Sequence, residues 1–85
     1  MKNATGGWVS SNIEPRHRKE GSGDSPNLLI NILIEDGGEP WSDQVVGYYV
    51  FHAGEFRSQE TDEPVEAAYM GDAVVTHYAY INEPA

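Results

Sequence analysis

Hydrophobic positions along the chain fall into short runs of period two, separated by turn residues. The most apolar run, LLINILIE over residues 28–35, sets Ile30, Ile32 and Ile34 on one face of a strand and Leu29, Asn31 and Leu33 on the other. Apolar content on both faces predicts a central, covered strand. Glu35-Asp36-Gly37-Gly38 then signals a turn, and Glu39-Pro40-Trp41 reads as loop. A second strand is predicted over VVGYYVFH, residues 45–52, because β-branched and aromatic residues suit a pleated surface. Ala53-Gly54 stands where a two-residue hairpin turn belongs, and Glu55 to Ser58 reads as the returning strand.

Thr61-Asp62-Glu63-Pro64 ahead of VEAAYM predicts a capped, two-turn helix. Its first-turn amides find acceptors, Pro is tolerated, and acids suit the positive end. Val65, Ala68 and Tyr69 would share one face, with Gly71 as the stop; an irregular loop is the alternative. A last strand, AVVTHYAY over 73–80, would alternate Val74, Thr76, Tyr78 and Tyr80 against Ala73, Val75, His77 and Ala79. The elements together predict a mainly β member of the α+β class, a small antiparallel sheet or open barrel with one short helix.

Eighty-five residues make one domain, residues 1–85, with a thin core that buries about 60 to 65% of the unfolded surface. Without cysteine there is neither a disulfide framework nor a thiolate zinc site, which fits a reducing cytoplasm. No run approaches the roughly 20 apolar residues of a membrane span, and Met1 to Trp8 lacks a hydrophobic signal core. A soluble, cytoplasmic protein is expected, with Asn3-Ala4-Thr5 a glycosylation pattern that never meets its enzyme.

Charge changes the picture most. Residues 1–23 carry four cations against two acids, whereas residues 24–85 carry twelve acids against Arg57 alone, and the whole chain sums to −9. Such a body repels duplex nucleic acid and anionic lipid and favours basic partners. Three of the five cations, Arg16, Arg18 and Lys19, crowd into PRHRKEGSGDSP at residues 15–26. The prolines, small residues and alternating charges there predict a flexible, solvated basic loop over residues 15–27.

Candidate chemistry is sparse. Ser10, Ser11 and Ser42 lie in no nucleophile context, no Gly-rich loop opens a helix, and the paired acids read as solvated turn residues. His17, His52 and His77 do not show ligand spacing, even with Glu55. No catalytic residue, metal ion or cofactor is expected. His77, between Thr76 and Tyr78, is the best candidate for a binding side chain, since a histidine beside aromatics can stack or hydrogen-bond. Of the many large aromatics, Trp41 in its loop and Tyr48 opposite Tyr49 are expected to be exposed anchors.

Two segments together resemble a known family. GGWVSSNIEP at residues 6–15 and VVTHYAYINEPA at 74–85 are similar to the Trp-Ile-Ser-Val opening and Val-Thr-His-Trp closing of the phage and prophage family catalogued as domain of unknown function 551. Ile34-Glu35-Asp36-Gly37, Gly47-Tyr48-Tyr49 and Gly54-Glu55-Phe56 match its intervening strand and turn features. The likeness runs from Trp8 to Pro84. Trp8, Thr76 and His77 match position by position, Tyr78 stands for the usual Trp, and Ile13-Glu14-Pro15 departs from the family's Arg-Leu-Pro. The resemblance implies a phage or prophage accessory protein acting in a bacterial host, and no activity.

Two readings of function follow. In the first, a non-catalytic protein binds a basic host protein, as an inhibitor or counter-defence factor, through an acidic face of Asp36, Glu39, Asp43 and Glu55 with Trp41 and Tyr48 as anchors. In the second, Arg16, Arg18 and Lys19 close over a small anionic ligand such as a signalling nucleotide while Trp8, His77 or Tyr78 stack on its base. A homo-oligomer is compatible with either, and a structural module needs only the fold.

Overall fold

A computed structural model describes residues 7–35, 37–69 and 72–81, with positions 68 and 69 in backbone only. Asp36 and Gly71, named above, lie outside the described residues. The chain forms a mainly β fold, a five-stranded antiparallel open sheet of order β1-β5-β2-β3-β4. Its strands are β1 (Val9–Ser10), β2 (Leu28–Ile34), β3 (Trp41–Val50), β4 (Glu55–Ser58) and β5 (Ala73–Tyr80). The Ile-rich run is the central strand, paired with β3 on one side and β5 on the other.

Only one face of β2 is fully covered: Leu28, Ile30, Ile32 and Ile34 are buried, while Leu29, Asn31 and Leu33 are half-buried. Opposite the buried set stand Tyr80, Tyr78, Val75 and Ala73 of β5. The simple alternation expected for β5 fails at Thr76, an extra residue where the pairing steps from Asn31–His77 to Ile32–Val75. This bulge puts Ala73 and Val75 on the same face as Tyr78 and Tyr80, and leaves Val74 and His77 on the other. Tyr78, expected as a ligand-stacking residue, is therefore core, 1% exposed, with its hydroxyl donating to the Ile13 carbonyl at 2.8 Å.

β3 begins at Trp41 rather than Val45. Trp41 to Gln44 lack a strand-like apolar pattern but pair by backbone with Ile34 to Asn31, so the central strand recruits them. The hairpin lies where the pattern put it, but its turn is four residues, Phe51 to Gly54. Gly54 takes φ 65° and its N–H donates to the Val50 carbonyl at 2.8 Å. The expected two-turn helix is a five-residue 3-10 helix, Val65–Tyr69, opened by the Ala67 N–H bonding the Pro64 carbonyl. Thr61 does act near its start, accepting from the Glu63 N–H. Val65 is buried against the sheet, and one anchoring residue suffices for one turn but not for two.

An aromatic row ties the covered face together. Phe51 meets Tyr49 edge-on, Tyr49 meets Phe56, Phe56 meets Tyr78 and Tyr78 meets Tyr80, with centroid separations of 4.9 to 5.7 Å. In a flat sheet β4 and β5, three places apart, would be about 14 Å from each other. Phe56 and Tyr78 bridge that gap with their side chains over the covered face, their ring centroids 5.7 Å apart.

The loop over residues 15–27, expected to be flexible and solvated, is docked along this face and the sheet edge. Arg16 lies over the Tyr80 ring at 4.4 Å and the His17 ring stacks on Phe51 at 3.8 Å, so adjacent loop residues cap both ends of the aromatic row. Beyond the end of β2 the loop continues the pairing of β3. The Ser25 N–H donates to the Tyr49 carbonyl, Phe51 N–H to the Gly23 carbonyl, and Asp24 bridges Val50. Ser25 is 2% exposed; its hydroxyl accepts from the Tyr49 N–H and donates to the Pro26 carbonyl, both at 2.8 Å. Composition missed this because the anchors are backbone groups and rings far away in sequence.

Candidate interaction site

The open face of the sheet gathers part of the set chosen from sequence. Ser10 of β1 stands opposite His77, His77 opposite Asn31, and Asn31 opposite Gln44, a polar stripe across four strands. Trp8, His77, Asn31 and Gln44 line a shallow depression of about 310 Å³. Trp8 and His77 therefore belong together. Tyr78 does not join them, because it points through the sheet to the core.

The cations lie elsewhere. Arg16 sits on Tyr80 of the covered face, so Trp8 and His77 are on the opposite side of the sheet. The Arg18 side chain pairs with Asp24 at 3.1 Å, and Lys19 is exposed beside the turn its backbone makes with Ser22. A phosphate held by these groups would be separated by the sheet from a base stacked on Trp8.

The acidic set divides as well. Glu55 lies at the hairpin end of β3 and pairs with Arg57 at 2.6 Å, which neutralises it locally. Glu39 precedes the other end of β3, where Trp41 is 46% exposed and Asp43 half-buried. Tyr48 is half-buried, its hydroxyl donating to Asp62, a contact that with burial raises its pKa above the ordinary tyrosine value. Asp62 reaches it from a left-handed backbone, φ 62°. Tyr48 is thus tied to the turn after β4 rather than presented as a free anchor.

A groove emerges where β3 outruns its neighbour. β4 pairs with β3 only from Gly47 to Val50, and Gln59 N–H adds a bond to the Val46 carbonyl. Trp41 to Val45 have no strand beside them on that edge among the described residues. Two adjoining depressions, about 230 and 560 Å³, run along this edge and share Val45, Ser58 and Glu60. Glu60 and Glu63 are the charged residues lining them, with no cation. Trp41, Asp43 and Val45 alternate on one face of the edge, about 7 Å from one to the next.

The edge is also guarded. The Asp43 carboxylate accepts from the Gln44 N–H at 2.9 Å, and Glu66 accepts from the Val75 N–H at 3.1 Å on the far side of the sheet. Carboxylates that occupy edge amides discourage a foreign strand from pairing there. The groove is suited to side chains of a partner rather than to an added strand.

Glu60, Glu63, Asn31 and Gln44 were not singled out from sequence. The acids read as turn residues, and the amides gain significance only from cross-strand register. Among the described residues no group of three or more His, Asp or Glu side chains is placed to hold a metal ion, and no helix is long and apolar enough to cross a membrane. The architecture defines the chain as a small open-sheet protein. No family model, curated protein or solved structure matches it.

Proposed function

We propose that the chain is a non-catalytic binding protein that takes a basic partner protein along the acidic groove of β3. The observation that carries this reading is the groove itself, where β3 runs on past β4, lined by Glu60 and Glu63 without a compensating cation, with Trp41 exposed along the same strand. A net charge of −9 draws a basic partner in by steering, and a partly exposed Trp supplies the desolvated contact that charge alone does not. Carboxylates spaced along an edge compete for the cationic surface of a nucleic-acid-binding protein, so inhibition of such a protein is the expected consequence. The resemblance of the Trp8 and Val75–His77 segments to a phage and prophage family supports a bacterial host protein as target and the host cytoplasm as the place of action. Capture of a small anion by the loop cations with Trp8 and His77 stacking is less well supported, since those groups face opposite sides of the sheet.

The test is capture from bacterial lysate with the native chain and with an Asp43→Asn, Glu60→Gln, Glu63→Gln variant, followed by titration of the purified partner. A basic protein whose affinity falls at least tenfold on neutralising the groove, and falls again with added salt, supports the reading. Equal affinity for the native and neutralised chains would sink it.

A further inference from the structure

The strand positions of the open face are uncharged across β1, β5, β2 and the first part of β3, whereas on β4 this face carries Glu55 and Arg57, paired with each other at 2.6 Å. Its positions on β2 are Leu29, Asn31 and Leu33; on the exposed part of β3 they are Ser42, Gln44 and Val46. On β5 and β1 they are Val74, His77 and Ala79 with Ser10, and Trp8 joins them at the depression. Not one of the fourteen Asp and Glu residues stands among them. Trp8, Val46 and Val74 are 46%, 42% and 56% exposed on this side, although a thin core has every use for apolar side chains. Acids crowd the edges and loops instead, as at Glu60 and Glu63.

We infer that this face packs against the same face of a second copy, closing the open sheet into a two-sheet sandwich. Charge argues for this occupant. Two chains of net charge −9 repel, so they can associate only through a surface from which charge has been removed. A basic partner would instead be met by carboxylates, which these positions lack. The two amides of the polar stripe do not oppose burial, because they are already engaged within the chain. Asn31 Nδ2 donates to Thr76 Oγ1 at 2.9 Å, and Gln44 Nε2 donates to Asn31 Oδ1 at 3.5 Å.

Area sets the strength. The two residues of β1, eight of β5, seven of β2 and the first six of β3, at a rise of about 3.3 Å per residue and a strand spacing of about 4.8 Å, present roughly 370 Å² per copy. The pair would bury about 750 Å², less than a standard specific interface, so the dimer is weak and readily reversible. Self-complementary packing of one face on itself is the geometry of a two-fold dimer, with the sheets about 10 Å apart.

Analytical ultracentrifugation of the full chain over a concentration series tests this. A monomer–dimer equilibrium is expected, shifting toward dimer as salt screens the mutual repulsion. Complexes with a basic partner in the β3 groove should respond to salt in the opposite way, so the two proposals fail separately. Val74→Asp, at an exposed position, should weaken self-association about 100-fold or more by burying unpaired carboxylates, while the far-UV spectrum and melting temperature stay native. In a Trp41→Phe chain, Trp8 is the remaining tryptophan, and its emission should move to the blue as concentration rises. A monomeric mass at every concentration and salt, a dimer indifferent to Val74→Asp, or a dimer in which Trp8 emission does not move would each overturn the inference.

Discussion

Replacing Gly47 by Ala tests how closely β4 is laid on β3. Gly47 pairs with Ser58 on one side and Leu28 on the other, in the middle of the sheet and facing the core. A Cβ built there would stand 2.1 Å from the Arg57 carbonyl oxygen and 2.9 Å from Cδ1 of Ile30. The Ile30 methyl can give a few tenths of an ångström, but the carbonyl is backbone held in a ladder of four pairs. Accommodation demands that β4 retreat by about 1 Å, taking Phe56 out of register with Tyr49 and Tyr78. Overpacking of this kind costs about 1–3 kcal/mol, and backbone displacement puts Gly47→Ala at the upper end. For a domain of this size that corresponds to a melting-temperature drop of about 10–20 °C. Thermal unfolding followed by far-UV circular dichroism reads it, with Gly23→Ala as the control, because a Cβ at Gly23 meets nothing within 4 Å. A Gly47→Ala melting temperature within about 2 °C of native would refute the close approach, and with it the register of β4 that shapes the groove.

The remaining tests probe the docked loop and the aromatic row. Ser25→Ala removes a buried hydroxyl and leaves the part-buried Tyr49 N–H without its acceptor, and should cost about 1–3 kcal/mol in chemical denaturation; a loss below about 0.5 would show that the loop does not depend on it. Tyr78, pushed up to about 12 first by burial and then by the neighbouring Tyr80 hydroxyl, stays protonated in the fold after it has ionised in the unfolded chain. Its stabilising effect is therefore complete below pH about 10 and is lost as pH climbs toward 12, about 2–3 kcal/mol in all. Tyr78→Phe should flatten that alkaline loss at the expense of about 1 kcal/mol near neutrality, and an unchanged alkaline profile would count against the assignment. Arg16→Ala should lower stability by about 0.5–1 kcal/mol through the lost contact with Tyr80, whereas Lys19→Ser should be neutral in the same titration.

What the sequence made legible was wherever side chains carry the pattern. Ile30, Ile32 and Ile34 announce a strand with a buried face, and Gly54 with its flanking β-formers announces a hairpin. Where backbone carries the structure, nothing in residue type reveals it. Trp41 to Gln44 become strand because β2 offers them a ladder, and Thr76 shifts the parity of β5 because one extra residue fits there. That single bulge moved Tyr78 from the candidate site into the core while leaving His77 beside Trp8. The loop was misjudged for a related reason: Ser25 and Gly23 act through main-chain and hydroxyl bonds, which composition does not register.

The placement of charge follows from the same open architecture. A single sheet has two problems, a face that water reaches and edges that other strands can join. Here the acids are spent on the edges, where Asp43 and Glu66 occupy free amides and Glu60 and Glu63 line the groove. Arg16 and His17, from the one cationic stretch, go to the ends of the aromatic row, where cation and ring attract. What is left without charge is the part of the open face that bears Trp8, Val46 and Val74, away from the Glu55–Arg57 pair on β4. An edge guarded by carboxylates makes strand addition unfavourable while leaving the neutral part of the open face accessible. Association should therefore proceed face to face between copies and side chain to groove with a basic partner, two contacts on different surfaces that salt drives in opposite directions.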